Sequence, residues 1–142
     1  MVDFPDETGP MYKWSKVEAV DGAFDLLYVL SQRADCYVAT NAKDSSEILI
    51  SGALNRVGMV PFIKKIFCYQ SVGYMKPSGE FFDAVLTELN CDKNEIVMIG
   101  DNLKKDVYGA LNNGIDAVWY NRNNDPVPDG IVSVSSLTML LK

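Results

Sequence analysis

The sequence predicts a doubly wound α/β domain, in which a parallel sheet lies between two layers of helices (a three-layer α/β/α architecture). Two observations predict this class. Short apolar segments alternate with amphipathic helical segments, as in parallel βαβ units. The segment Ile96–Ile99 is apolar at every position, which is expected of a strand covered on both faces. In such sheets, ligands bind beyond the carboxyl ends of the strands.

The predicted elements follow one another regularly from Asp21, whose carboxylate is a candidate cap for the first helix. Residues 1–19 are rich in Pro, Gly and charge, so we expect an irregular segment there and a core domain at 20–142. The predicted elements are, in order, a helix at 22–32, a strand at 36–40, a helix at 44–57 ending at Gly58, a strand at 66–69, a helix opened by Pro77-Ser78, a strand at 96–99, a helix at 103–113 ending at Gly114, a strand at 117–120, an edge strand near 131–134 and a short helix to Leu141.

Apolar side chains at helical spacing predict which face of each helix is buried. The predicted stripes are Phe24, Leu27, Tyr28 and Leu30 on the first helix; Ile48, Leu49, Ala53, Leu54 and Val57 on the second; and Phe81, Phe82, Val85, Leu86 and Leu89 on the third.

Composition excludes several classes of function. The 142 residues contain no histidine, which excludes Ser-His-Asp and Cys-His catalysis and histidine-ligated zinc. The net charge of −6 and the lack of a basic block argue against nucleic-acid binding, so small anionic substrates need locally placed cations. No apolar run is long enough to cross a membrane, and there is no secretory signal. Three widely spaced cysteines beside apolar segments are typical of reduced core residues, so we expect a cytoplasmic protein.

The segment from Gly100 to Asp106 predicts a magnesium site. A buried strand delivers Asp101 to its carboxyl end, where Gly100 permits a tight turn, and Asp106 follows one turn into the next helix. Two carboxylates facing one point, with water and substrate phosphate, provide the oxygen ligands that magnesium needs. The alternative is that Asp101 caps the helix and Asp106 is a solvated surface charge.

Two further features are candidates for holding phosphate. Thr40 and Asn41 end an earlier strand, where a hydroxyl, an amide and backbone N–H groups can bind phosphate oxygens, although an ordinary turn is the alternative. Lys76 precedes Pro77, which favours an extended backbone, and its ammonium can neutralise phosphate and nearby carboxylates. The alternative for Lys76 is a solvated surface lysine.

In order and spacing, these three features resemble motifs two, three and four of the haloacid dehalogenase (HAD) superfamily, with the match extending over about residues 20–122. The details are similar to the branch that contains nucleotidase-type phosphatases. The resemblance implies a Rossmann-like core and magnesium-dependent hydrolysis of a small phosphorylated metabolite through a phosphoaspartyl intermediate. It also implies catalytic roles for Lys76 and Asp101. Phosphate would bind to Thr40, Asn41 and Lys76, and magnesium to Asp101 with support from Asp106.

The chain departs from this pattern at the first motif, an apolar strand ending in Asp-x-Asp-x-Thr that supplies the nucleophile. Asp3 and Asp6 are separated by two residues and do not fit it. We therefore expect weak magnesium binding and no activity from this chain alone. Three interpretations stay open. The chain is a fragment of a phosphatase, a non-catalytic phosphate-binding or regulatory module, or an enzyme that a second chain completes, for example in a homodimer. An unrelated doubly wound domain is a fourth alternative.

In this family, the strand that carries the first motif is the central strand of the sheet. Buried backbone groups that lose their partners are costly, so we expect the strand at 36–40 to pair directly with the strand at 95–99. The alternatives are an inserted strand from residues 10–18 and a strand donated by a second chain.

Overall fold

The computed structural model describes residues 20–42 and 46–141, and these fall into two compact units. The first unit extends to Gly73, and the second begins at Tyr74. Every strand pairing among the described residues is parallel, and helices lie between the strands along the chain. These pairings confirm the α/β class. The predicted irregular segment 1–19 lies outside the described residues.

The first unit contains a two-stranded parallel sheet. Its elements are helix α1 (Ala23–Leu30), strand β1 (Tyr37–Ala39), helix α2 (Glu47–Asn55), a 3-10 turn (Val60–Phe62), strand β2 (Lys65–Phe67) and the short helix α3 (Tyr69–Val72). Strand β1 pairs with β2, with Val38 opposite Ile66. Four buried side chains form the centre of this unit's core: Leu54, Met59, Ile66 and Cys68. The sequence pattern therefore identified the elements of this unit, apart from the 3-10 turn and α3.

Three predictions in the first unit are wrong in detail. Asp21 does not cap α1; the cap position is Gly22, which has the left-handed φ of 80° that glycine tolerates best. Ile48 is 81% exposed rather than buried, whereas Ala53 and Leu54 are buried as predicted. The predicted strand at 66–69 ends at Phe67, because Tyr69 begins α3.

The first helix buries a different side chain from those predicted. Leu26 is its buried residue, whereas Phe24 and Tyr28 are exposed at 44% and 54%. These two rings nevertheless pack edge-on against Phe62. The other two predicted residues are half-buried, and Leu27 packs against the core. The helical spacing therefore located the helix and part of its inner face, and it was wrong at Phe24 and Tyr28.

The second unit contains a three-stranded parallel sheet in the order β3-β4-β5. Its elements are helix α4 (Gly79–Leu89), strand β3 (Val97–Gly100), a π-helical turn (Leu103–Tyr108) that continues into helix α5 (Gly109–Asn112), strand β4 (Asp116–Tyr120), strand β5 (Ser133–Val134) and a 3-10 turn (Leu137–Leu141). Phe81, Val107, Ile115 and Trp119 are among its buried side chains. Of the predicted α4 stripe, Phe81 and Phe82 are buried and the other three are half-buried.

The described strands do not form the single closed sheet that we predicted. Strand β1 pairs with β2, and β3 pairs with β4, so pairing between 36–40 and 95–99 is wrong. Nor is β3 covered on both faces, since Val97 is 58% and Ile99 36% exposed. The side chains of Val97 and Ile99 therefore contact solvent in the part of the chain that the structure describes. Residues 10–18 lie outside the described residues, and a donated strand stays a prediction.

Candidate functional site

A buried ion pair joins two of the predicted site residues in the second unit. The Lys76 Nζ atom donates to Asp106 Oδ1 at 2.5 Å, and the two side chains are only 9% and 7% exposed. The partners lie 30 positions apart in the chain, so the fold brings them together. The two alternatives that we considered, a solvated surface lysine and a solvated surface aspartate, are therefore wrong.

Close packing beside Gly109 brings the Lys76 segment to the helix that carries Asp106. A Cβ atom at Gly109 would lie 3.0 Å from the Pro77 ring and 3.1 Å from Phe82. Ser78 begins α4 by accepting a hydrogen bond from the Phe81 N–H at 3.3 Å. Lys76 thus lies between a well-capped helix and a close contact at Gly109, where a larger residue would require its neighbours to shift.

Asp106 also fixes the loop that follows β3. Its Oδ2 atom accepts a hydrogen bond from the Asn102 N–H at 3.1 Å. A Cβ atom at Gly100 would lie 2.3 Å from that same oxygen, so a side chain there would collide with the carboxylate. Gly100 does not have a left-handed backbone. Its role is therefore to leave space for Asp106, not to form the tight turn that we predicted.

Asp101 lies at the carboxyl end of β3 with its side chain exposed. Its backbone carbonyl accepts a hydrogen bond from the Trp119 Nε1 atom at 3.1 Å. The helix cap is Asn102, whose Oδ1 accepts from the Lys105 N–H at 2.8 Å. Because Asn102 caps this helix, the alternative role of Asp101 as its cap is wrong.

Thr40 and Asn41 lie in the first unit, directly after β1, and both are half-buried. The Thr40 N–H extends the strand pairing by donating to the Phe67 carbonyl at 2.9 Å. The Thr40 Oγ1 atom accepts from the Ala42 N–H at 3.2 Å, which forms a local turn. The Thr40 hydroxyl still has a proton to donate to a phosphate oxygen.

The donor set around Asp101 fits a magnesium ion that keeps most of its water. Among the described residues, no group of three or more acidic or cysteine side chains is arranged to hold a metal ion. Asp106 already contacts an ammonium and an N–H, whereas Asp101 presents an exposed carboxylate. Magnesium is often held by one or two carboxylates, with waters and substrate phosphate completing its shell. Asp101 is therefore the candidate ligand, and Asp106 supports the loop that carries it.

Sequence reasoning missed two residues at this site, Asn102 and Trp119. The parallel register places Trp119 directly opposite Gly100. Aligning the predicted strands 96–99 and 117–120 end to end places Trp119 opposite Met98, so the sequence pattern did not give the register that brings the indole to the end of β3. We treated Trp119 only as a strand residue.

The Cys36 thiol is a poor alternative nucleophile. Cys36, Cys68 and Cys91 are free thiols; Cys68 is a buried core residue as predicted, whereas Cys36 and Cys91 are only half-buried. Burial raises the pKa of the Cys36 thiol, and the Asp35 carboxylate raises it further. A raised pKa lowers the thiolate population at neutral pH, and the thiolate is the reactive form.

Comparison with known proteins identifies the family. The sequence profile described as haloacid dehalogenase-like hydrolase matches residues 9–120. The chain belongs to this family. It is 33% identical over 114 residues to the HAD-hydrolase YfnB of Bacillus subtilis, a match that covers 79% of this chain and 47% of YfnB. It is also 34% identical over 106 residues to the pyrimidine 5'-nucleotidase PynA of Streptococcus pneumoniae, covering 73% of this chain and 44% of PynA.

The fold agrees with this membership. The crystal structure of Bacillus subtilis YfnB bound to magnesium superimposes with a TM-score of 0.75 at 31% identity, covering 85% of this chain and 54% of YfnB. The chain thus spans about half the length of the relatives it matches. In addition, none of the helices in the described ranges has the length and apolarity to span a bilayer.

Proposed function

We propose that this chain supplies the phosphate- and magnesium-handling part of a phosphomonoester hydrolase. The observation that carries the proposal is the buried Lys76–Asp106 pair beside Asp101 at the carboxyl end of β3. Burial of a charged pair costs free energy. We therefore propose that this pair serves a function, which is to hold the Lys76 ammonium in place for a ligand. Asp106 connects the two parts of this arrangement, because it binds the Lys76 ammonium and also the backbone N–H that follows Asp101. An ammonium held in place and an exposed carboxylate together suit a ligand that is both anionic and metal-bound.

The proposed roles follow from the chemistry of each side chain. Lys76 offsets phosphate charge, and Asp106 holds its ammonium in position. Asp101 holds magnesium, which when bound would offset further charge on the phosphoryl group. Thr40 and Asn41 donate hydrogen bonds to phosphate oxygens.

The proposed substrates are small phosphorylated metabolites, with nucleoside 5'-monophosphates as the first candidates. The support is the relationship to a pyrimidine 5'-nucleotidase at 34% identity. The net charge of −6 and the lack of a basic block make a nucleic-acid substrate a poor fit. A single buried lysine is better matched to one phosphate group than to a polyanionic strand.

We propose that the attacking carboxylate comes from outside these residues. The 142 residues contain no Asp-x-Asp-x-Thr segment. Among the described residues, neither Asp101 nor Asp106 is suited to attack, because we assign one to the metal and the other is bonded to Lys76. The nucleophile would come from a further segment of the same polypeptide or from a complementing chain. Charge stabilisation alone does not replace an attacking group, so we expect these residues alone not to hydrolyse phosphate esters.

A magnesium titration tests the metal site directly. At ten times the dissociation constant, magnesium should stabilise the chain by about 1.4 kcal/mol, which is a rise in Tm of roughly 3–5 °C for a domain of this size. We expect midpoints in the millimolar range in thermal melts. The Asp101→Asn variant should lose the response, and the control variant Asp129→Asn, which removes an exposed carboxylate elsewhere, should keep it. A response in Asp101→Asn equal to that of the parent would refute the site.

An activity assay tests the source of the nucleophile. The chain should show no magnesium-dependent release of phosphate from p-nitrophenyl phosphate above background. Turnover that persists in Asp3→Asn with Asp6→Asn and disappears in Asp101→Asn would mean that the nucleophile lies within these residues. Inorganic phosphate should nevertheless bind in the presence of magnesium, and more weakly in Lys76→Met.

A further inference from the structure

One peptide group, between Asp101 and Asn102, is held at both ends by buried side chains. Its carbonyl oxygen accepts from the Trp119 Nε1 atom at 3.1 Å, and its N–H donates to Asp106 Oδ2 at 3.1 Å. Taken as whole residues, Trp119 and Asp106 are each only 5% exposed. Trp119 lies in β4 and Asp106 in the π-helical turn, so neither belongs to the 101–102 segment that they hold.

Fixing this peptide group fixes the direction in which Asp101 points. A peptide unit is planar, so bonds to its oxygen and to its N–H together define the orientation of the plane. The backbone before Asp101 is already held, because Gly100 is the last paired residue of β3. With both flanking segments fixed, the Asp101 carboxylate moves only about its own short side chain.

The two holding side chains are themselves fixed. Trp119 is a strand residue of β4 and lies opposite Gly100 in the parallel register. The Oδ1 atom of Asp106 accepts a hydrogen bond from Lys76. The Asp106 side chain also occupies the space that a side chain at residue 100 would fill. The orientation of the peptide group is therefore set by the sheet and by the ion pair, before any ligand is present.

We propose that Trp119 is a positioning residue for Asp101 and thereby sets the affinity of the site for magnesium; this inference rests on the proposed role of Asp101 as a metal ligand. Trp119 acts through its indole N–H on the backbone and does not contact the ion. Side chains that orient a metal ligand typically affect metal affinity even though they do not bind the metal.

The first test follows the backbone amide of Asn102 by hydrogen exchange in the metal-free protein. Trp119→Phe keeps an aromatic ring and removes the N–H, so the Asn102 amide should exchange about tenfold faster, which corresponds to the loss of one hydrogen bond. The internal reference is the Asn121 amide, which donates to the Val134 carbonyl next to β4. Phe81→Leu controls for lost core volume, since Phe81 is fully buried. If the Asn102 amide accelerates no more than the Asn121 amide, the inference is wrong.

The second test measures magnesium affinity in the same three proteins. Trp119→Phe should bind magnesium about three- to tenfold more weakly than the parent, and Phe81→Leu should bind it as the parent does. Faster exchange at Asn102 with unchanged affinity would contradict the inference, because the peptide would then not control the ligand.

The outcomes also separate this inference from the proposed function. Loss of magnesium binding in Asp101→Asn together with unchanged affinity and exchange in Trp119→Phe would overturn the inference and leave the metal site standing. If the parent itself binds no magnesium, the metal site fails. The claim that Trp119 sets magnesium affinity then falls with it, and the exchange experiment still decides whether Trp119 fixes the 101–102 peptide.

Discussion

The ends of strands β1 and β3 both carry predicted site residues, and they are built in different ways. At the end of β3, hydrogen bonds connect residues that are 18 and 30 positions apart in the chain. At the end of β1, the Thr40 hydroxyl accepts from a backbone N–H only two residues away. The first arrangement exists only in the folded unit, whereas the second can form in a short peptide.

This difference suggests which of the two strand ends is organised before a ligand arrives. The buried network at β3 orients Asp101 and Lys76 through groups that cannot move independently. The turn at Thr40 places the hydroxyl group near the end of β1. The direction of the hydroxyl proton is then set by the ligand that binds. We therefore expect substitutions at β3 to affect stability much more than a substitution at Thr40.

The largest effect should come from Lys76→Met. It leaves the Asp106 carboxylate buried without its cation, and breaking a buried pair in this way typically costs about 3–5 kcal/mol. Urea denaturation at neutral pH measures the loss. The double variant Lys76→Met with Asp106→Asn leaves no buried charge and should be more stable than Lys76→Met alone. A loss below about 1 kcal/mol for Lys76→Met would place the pair in the range of surface salt bridges.

A smaller but clear effect is expected for Gly100→Ala. The added methyl would lie 2.3–2.4 Å from atoms of Asp106, so the carboxylate must shift. Overpacking of this kind typically costs about 1–3 kcal/mol. Gly52→Ala is the matched control, because Gly52 is exposed within α2 and alanine should stabilise that helix by up to about 1 kcal/mol. Equal denaturation midpoints for the parent and Gly100→Ala would show that the site does not need this space.

The smallest effect should be that of Thr40→Val. Valine keeps the branched shape and removes a hydroxyl that accepts one backbone hydrogen bond, so we expect a loss of about 1 kcal/mol or less. The same variant should bind inorganic phosphate more weakly in isothermal calorimetry. A stability loss as large as that of Lys76→Met would remove the distinction between the two strand ends.

Much of this fold could be predicted from sequence because its signals are local. Ser78 before an amphipathic run, and the apolar segment around Val97, identified α4 and β3 within a few residues. Spacing also placed Asp106 one turn after Asp101. It did not reveal that the Asn102 carbonyl accepts from both Asp106 and Val107, which makes this turn π-helical.

The predictions that failed depended on tertiary information. Ile48 and Val97 are apolar residues in regular elements, and a single chain gives no indication of which apolar faces remain exposed. The link between Trp119 and Asp101 depends on the register of two strands, which the apolar pattern alone does not fix. Sequence thus identified the residue types of the site, and the fold determined which of them touch.

The divided use of the Asp106 carboxylate has an evolutionary consequence. One oxygen serves Lys76 and the other serves the Asn102 N–H, so replacing either charged partner alone leaves a buried charge without its counterpart. Point mutations arise one at a time, and a lineage that abandons this pair must therefore pass through a destabilised intermediate. Thr40 can be replaced by single substitutions without passing through such an intermediate. The two strand ends should accordingly diverge at different rates, with the Lys76–Asp106 pair lost only by coupled replacement.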